Sequence, residues 1–233
     1  MNRVTRATAL TLLISAGPTL AQAQAFEGVV NWKMKGDRGA TEMVQMYRGG
    51  VVRTEMTGGG FGAVMLMDGA TMTTIMPEQK MYMTMDLKKM GEQMKGMRHD
   101  SAGKSGPAKL TDEGTKETIA GYTCENYLVG DAQDMEMCVA KGLGYFAFGS
   151  AGGPMGGRGP GAGGGAAELA ANPEWAKVFK DGFFPLRISN LKGSKREMVM
   201  EATKIEPKAL DPSLFKVPDG YAEMKLPMMP QGH

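Results

Sequence analysis

Apolar and polar residues alternate one by one through much of the first half of the chain. A period of two residues places every second side chain on the same side of a β-strand. Turn signals separate the alternating segments, and Asp68-Gly69 is a strong hairpin signal. The pattern predicts six strands, at residues 26–34, 41–47, 51–56, 63–67, 71–76 and 80–86. Strands at this spacing favour an antiparallel meander.

Methionine occupies many of the alternating positions. The chain has 23 methionines against 8 phenylalanines and 2 tryptophans, and methionine fills every second position from Met81 to Met85. These side chains are predicted to cover one face of the sheet, where soft, flexible thioethers adapt to apolar partners of variable shape. The predicted ligand-lining residues are Met65, Met67, Met72, Met76, Met81, Met83 and Met85 on the strands, and Met90 and Met94 on the helix that follows them.

The period changes after the sixth strand. Leu87, Met90, Met94 and Met97 recur at intervals of three and four residues, which predicts an amphipathic helix across or beside the methionine-rich side. A polar segment at 98–113 and a glycine-rich segment at 149–165 are predicted to be flexible insertions. A short helix is predicted to start at Asn172-Pro173, to run through about Lys180, and to bury Leu169, Trp175, Val178 and Phe179. Further strands are predicted at 116–119, 123–129, 135–139, 184–190 and 195–205.

The two cysteines, Cys124 and Cys138, lie in adjacent predicted strands. In an exported chain, two cysteines most simply form one disulfide. If Cys124 faces Cys138, then Val129 faces Gln133 across a three-residue loop, which is an ordinary hairpin length. The alternative is a pair of separate buried thiols.

The first 25 residues have the pattern of a cleaved signal peptide. Arg3 and Arg6 precede an apolar run over 7–20, and overlapping small-x-small cleavage sites follow at 21–25. The run is too short to span a bilayer, and Gly17-Pro18 interrupts it. We therefore expect export to the periplasm, a single soluble domain over 26–226 and a frayed tail over 227–233.

The charge balance and the polar residues favour a binding protein over an enzyme. Removing Arg3 and Arg6 lowers the number of basic residues from 27 to 25, which equals the 25 acidic residues, so nothing favours a nucleic-acid partner. His99 lies in the polar segment and His233 is the last residue, so neither is placed as a held general base. No motif marks a nucleophile or a phosphate-binding loop, and we predict no catalytic residue, cofactor or metal site. The strand acids are predicted to lie on a solvated sheet face: Glu42, Glu55, Asp86 and Glu136.

Copper handling is the alternative function, because soft thioether ligands select Cu(I). Met81, Met83 and Met85 are about 7 Å apart along one strand, so a metal site would need methionines from a neighbouring strand. Reversible oxidation of methionine would also allow the protein to act as an oxidation buffer.

Four segments resemble a known family. They are Phe26-Glu27-Gly28-Val29-Val30, the run from Met76 to Tyr82, the run from Thr118 to Cys124, and Phe184-Pro185-Leu186. These resemble the exported proteins with domain of unknown function 4412, and the segment from Leu210 to Tyr221 is similar both to that family and to periplasmic lipoprotein carriers of the LolA/LolB kind.

The resemblance implies a mainly β (α+β) fold. It implies a curved antiparallel sheet that forms a LolA-like unclosed half-barrel, with two or three helices covering its concave side. Such a fold cradles apolar groups. We therefore expect an exported, non-enzymatic carrier that binds a lipid, another apolar small molecule or an acylated partner protein, with transient membrane contact.

Overall fold

The computed structural model describes residues 26–36, 39–57, 62–89, 109–144, 146, 173–180 and 182–225. Twelve strands in this part of the chain form one sheet. The first six are β1 (Gly28–Gly36), β2 (Gly39–Arg48), β3 (Val51–Thr57), β4 (Val64–Asp68), β5 (Thr71–Met76) and β6 (Met81–Asp86). The others are β7 (Leu110–Ile119), β8 (Tyr122–Val129), β9 (Met135–Ala140), β10 (Phe184–Lys192), β11 (Lys195–Pro207) and β12 (Ala222–Glu223).

The strands lie in the order β12-β6-β5-β4-β3-β2-β1-β11-β10-β9-β8-β7. Strands β1 to β6 form the predicted antiparallel meander, and β7 to β11 form a second one. Antiparallel pairing of β1 with β11 joins the two meanders into one sheet. The edge strands β12 and β7 do not pair with each other in the described part of the chain, so the sheet is an unclosed half-barrel.

Short helical segments accompany the sheet in the described part of the chain, among them α1 (Pro173–Val178) and a 3-10 helix (Pro212–Phe215). α1 begins at Pro173, as predicted, but ends at Val178 rather than near Lys180, and Leu169 lies outside the described residues. Trp175 in α1 and Phe179 directly after it are buried, as predicted. Val178 is 40% exposed, so its predicted burial is wrong. No helix among the described residues is long and apolar enough to cross a bilayer.

The predicted helix after β6 is described only at residues 87–89, which are helical. Asp86 caps this start, because its Oδ1 accepts hydrogen bonds from the backbone N–H groups of Lys88 at 3.0 Å and Lys89 at 3.1 Å. Met90 and Met94 lie outside the described residues, and two or three covering helices remain a prediction.

The main core is aromatic and lies beside β1, β2 and β8 to β11. Trp32 contacts Phe146 and Phe184, with ring centroids 5.2 Å and 6.0 Å apart. Phe179 of the segment after α1 packs edge-on against Tyr127 of β8, with centroids 5.0 Å apart. This half of the sheet is thus rigidly packed by large rings.

A second cluster of buried side chains lies on β4 and β5 and contains Val64, Leu66 and Ile75. Tyr82, Val217 and Tyr221 pack against it. The last two belong to the C-terminal strap, by which we mean residues 208–225, so the strap covers one side of β4 to β6.

Hydrogen bonds hold the strap along its length. The backbone N–H of Leu210 donates to Glu27 Oε1 at 2.9 Å, and Arg53 Nη1 donates to the carbonyl of Leu214 at 2.8 Å. Asp211 caps the 3-10 helix by accepting from the N–H of Ser213 at 2.8 Å. Strand β12 then pairs in parallel with β6. The resemblance segment from Leu210 to Tyr221 therefore has a structural role as a cover of the sheet.

Cys124 and Cys138 form the predicted disulfide, with Cα atoms 5.3 Å apart. The predicted register is wrong. Cys138 faces Asn126 and Val129 faces Met135, so the cysteines bond diagonally and the loop has two more residues than predicted. Residues that lie diagonally across two strands can still form a disulfide when their Cα atoms are separated by an ordinary disulfide distance, as they are here.

Strand β7 also starts earlier than predicted. Residues 110–113, assigned by their polarity to a mobile insertion, belong to β7 and begin its pairing with β8, where Leu110 faces Val129. An exposed edge strand carries polar side chains, so composition did not distinguish it from a loop.

Candidate functional site

The strand register brings the predicted strand methionines onto one side of the sheet. Residues that face each other in neighbouring strands project to the same side. Three rows of facing residues cross β3 to β6: Val52–Met67–Met72–Met85, Thr54–Met65–Thr74–Met83, and the pair Met76–Met81 with Met56 on the same side of β3. Through Met43 of β2, which faces both Met56 and Trp32, this side is continuous with the main core.

We call this side of β2 to β6 the methionine face. Its methionines are Met43, Met56, Met65, Met67, Met72, Met76, Met81, Met83 and Met85. All seven strand residues predicted to line a ligand belong to it. Whether they line one remains a prediction.

The methionine face carries no charge among the described residues. Besides methionine, its side chains on β2 to β6 are those of Thr41, Gln45, Tyr47, Val52, Thr54 and Thr74. The other side of the same strands carries the charged residues Glu42, Arg48, Arg53, Glu55, Asp68 and Asp86. It also carries the apolar cluster of Val64, Leu66 and Ile75, so the two sides differ in charge rather than in apolar content.

The methionines of this face differ in their exposure. Met43 and Met72 are each 2% exposed, whereas Met56 is 37% exposed. The remaining members are half-buried: Met65, Met67, Met76, Met81, Met83 and Met85. The face is thus an apolar surface that keeps partial access to solvent.

A short row of neutral polar groups interrupts the face on β2 and β3. The Tyr47 hydroxyl donates to Gln45 Oε1 at 2.6 Å, and Gln45 Nε2 donates to Thr54 Oγ1 at 3.4 Å. Burial raises the pKa of Tyr47 well above its ordinary value, so its hydroxyl stays protonated and acts as a donor. The polar row adds hydrogen-bonding groups without adding charge.

A cavity of about 370 Å³ lies at the β-bulge between Asn31 and Trp32, where β1 meets β2 and β11. Its lining includes Lys33, Glu42 and Lys204. This charged depression differs in chemistry from the predicted apolar cavity.

Sequence reasoning missed a cluster of charged residues on β7 to β11. Arg187 forms a two-pronged ion pair with Glu117, at 2.6 Å to Oε2 and 2.7 Å to Oε1. Glu136 accepts from Arg187 Nη2 at 3.2 Å and from Arg196 Nη2 at 2.5 Å. Asn126 Nδ2 also donates to Glu117 Oε1 at 3.0 Å. We call these five residues the charge cluster.

The prediction of a solvated face is wrong for Glu136, which is 2% exposed. Glu42 and Asp86 are exposed, whereas Glu55 is half-buried and pairs with Arg53 at 2.6 Å. Alternation in Met135-Glu136-Met137 suggested a solvated carboxylate, but Arg187 of the adjacent strand β10 and Arg196 of β11 pair with it. The sequence contained one sign of a buried ion pair: Arg187 is the one cation in the otherwise apolar segment 184–188.

Hydrogen bonding from Arg187 lowers the pKa of Glu117 to about 2, and the same pairing raises the pKa of Arg187. The two carboxylates and two guanidinium groups balance, so every charge in the cluster has a partner. Such mutual pairing is typical of a structural ion network that fixes strand register.

The family model for "Domain of unknown function (DUF4412)" matches residues 26–221. Among solved structures, the chain is similar to an uncharacterized conserved protein from Thermus thermophilus, with 10% sequence identity and a TM-score of 0.46. That match covers 88% of this chain and 93% of the other. A search of curated proteins found no match. Because the family model spans most of the 233 residues, the chain belongs to the DUF4412 family.

Proposed function

We propose that this protein is an exported, periplasmic, non-enzymatic carrier that holds an uncharged apolar ligand on the methionine face. The ligand is a lipid, another apolar molecule or the acyl group of a modified partner protein. In this proposal the unclosed half-barrel works as a LolA-like cradle, with the helix after β6 beside the bound ligand.

The single observation that carries the proposal is the absence of charge on the methionine face of the described strands, whose charged side chains all lie on the other side. A charged group placed there would lose its hydration without gaining a counter-ion, which is costly. An alkyl chain has no charge, so its burial does not incur this loss of hydration. It gains roughly 25 cal/mol for each Å² of apolar surface removed from water, or roughly 5 kcal/mol for about 200 Å².

The half-burial of six methionines on the face supports the same function. A fully buried set would be an ordinary core, and a fully exposed set would favour aggregation. Methionine has three rotatable bonds and no branch, so the face can repack around chains of different length. The buried row of Tyr47, Gln45 and Thr54 keeps its part of the face neutral, because its polar groups pair with one another.

Two variants test the proposal by introducing a carboxylate at one of two adjacent positions of β6. Met83 lies on the methionine face, whereas Thr84 is exposed on the other side of the same strand, where it faces Thr73. We expect Met83→Asp to weaken binding of a neutral fluorescent acyl ester at least tenfold, because ligand burial would then bury a charge. Thr84→Asp, the matched control, should bind the probe within twofold of the wild type.

The measurement is a fluorescence titration, with circular dichroism to establish that both variants are folded. Equal binding by the wild type and Met83→Asp, or equal loss in both variants, would refute the methionine face as the binding surface. Mass spectrometry of an organic extract of the purified protein would identify the natural ligand class.

A further inference from the structure

One row of the methionine face has methionine on three adjacent strands. Met67 of β4 faces Met72 of β5, and Met72 faces Met85 of β6. In the neighbouring row, Thr74 separates Met65 from Met83. The sequence predicted methionines about 7 Å apart along single strands, whereas facing residues of antiparallel strands have Cα atoms only about 4.5–5.5 Å apart.

Three thioethers in this row can approach one point. Met72 is central and 2% exposed, and Met67 and Met85 flank it in half-buried positions. Three flexible bonds in each side chain allow the outer sulfur atoms to turn toward the central one. The row thus supplies the ligands from neighbouring strands that methionines on a single strand lack.

The chemistry of the row selects one kind of metal ion. Thioether sulfur is soft and uncharged, and soft sulfur ligands favour Cu(I) over the harder divalent ions that prefer oxygen or nitrogen. Cu(I) also carries only one positive charge, so its burial among neutral ligands costs less than burial of a divalent ion.

We propose that Met67, Met72 and Met85 form a Cu(I) site on the methionine face. The site goes beyond lipid binding and does not depend on it. The copper arrives and leaves as Cu(I), so no electron is transferred in the binding step.

Two triple variants test the site with the same number of sulfur atoms removed from the same three strands. Met67→Leu/Met72→Leu/Met85→Leu removes the row, whereas Met65→Leu/Met76→Leu/Met83→Leu leaves it intact. Leucine and methionine are similar in volume, so both variants should remain folded, as thermal unfolding would show.

The measurement is an anaerobic titration of the full mature chain with a Cu(I)–acetonitrile complex against a chromophoric Cu(I) chelator. We expect one Cu(I) per chain in the wild type, at least a 100-fold weaker affinity in the row variant, and an affinity within threefold of the wild type in the control. X-ray absorption should show sulfur as the copper ligand.

Copper binding that survives in the row variant, or that falls equally in both variants, would overturn the proposal. So would a wild type that does not bind Cu(I). The acyl-ester titration of Met83→Asp and Thr84→Asp tests the carrier function by a different readout, so failure of one proposal is distinguishable from failure of the other.

Discussion

Arg187 is the one cation in the otherwise apolar segment 184–188 of β10, and its side chain is only 10% exposed. It pairs with Glu117 of β7 and Glu136 of β9, and thereby connects three strands. Replacing a buried ion pair with apolar residues can be neutral, but removing one partner leaves a charge uncompensated in the interior. The position of Arg187 therefore depends on both carboxylates.

We predict that Arg187→Met destabilises the protein by about 3–5 kcal/mol, because Glu136 then loses a partner while it stays buried. Lys192→Met is the matched control. Lys192 pairs with Glu197 at 3.2 Å, but its side chain is 70% exposed, and such pairs are worth about 0–1 kcal/mol. Urea denaturation measures both free energies of unfolding. Equal small losses in the two variants would show that the charge cluster contributes little.

Two paired carboxylates, Glu117 of the charge cluster and Glu125 of β8, predict how stability depends on pH. Hydrogen bonding from Arg187 lowers the pKa of Glu117 from 4.5 to about 2, and hydrogen bonding from Lys141 lowers the pKa of Glu125 by the same route. A carboxyl whose pKa is lowered by folding stabilises the native state above its unfolded pKa and loses this effect as pH falls through its folded pKa. Both groups therefore lose their contribution between pH 4.5 and about 2.

We predict that the free energy of unfolding falls across this acid range. The stability difference between the wild type and Glu117→Gln should be largest above pH 4.5 and should shrink toward pH 2. Urea denaturation at a series of pH values measures it. A difference that stays constant through the acid range would contradict the assignment of the lowered pKa to Glu117.

At the scale of elements, the C-terminal strap completes one side of the methionine-rich meander. It covers Val64, Leu66 and Ile75 on the side opposite the methionine face, and β12 pairs with the edge strand β6. An open edge strand is a template for aggregation, so the strap both buries apolar surface and protects an edge.

We predict that Tyr221→Ala destabilises the protein by about 1–3 kcal/mol and speeds amide hydrogen exchange in β6, because Tyr221 packs on the second cluster beside β12. Asp219→Ala, two residues earlier and exposed, should change stability by less than about 0.5 kcal/mol. Hydrogen-exchange mass spectrometry measures the protection. Unchanged exchange in β6 would show that the strap does not hold the edge.

At the scale of the whole molecule, the sheet has two differently packed halves. Aromatic rings fill the half built on β1, β2 and β8 to β11, and flexible methionines occupy the other half. Rings fix a single packing, whereas methionines permit several. This division places the adaptable surface beside a rigid support, which suits a protein that binds chains of variable shape.

The same division predicts an order of oxidation. Dilute hydrogen peroxide should oxidise the half-buried Met83 and Met85 faster than Met137 and Met200, which are 1% and 3% exposed. A bound acyl ester should slow oxidation of Met83 and Met85 but not of Met224, which is 36% exposed on the strap. Peptide mass spectrometry measures each site. Oxidation of Met83 as slow as that of Met137 would show that the methionine face is closed to solvent.

The sequence by itself determined the strand pattern, the methionines that share a side of each strand, the cysteine pair and the family. These properties follow from a period of two residues or from short segments, so they are local. Only the tertiary structure decided the join of β1 to β11, the parallel pairing of β12, the burial of Glu136 and the row of Met67, Met72 and Met85. Each of these depends on which strands become neighbours and in which register, and turns and β-bulges set that register. The cysteine pair could be predicted despite a register error of two residues, because Cys124 and Cys138 lie close together in the chain and remain within bonding distance. The burial of Glu136 beside Arg187 and Arg196 could not, because these arginines lie 51 and 60 positions from it in the chain and meet it only in the folded sheet.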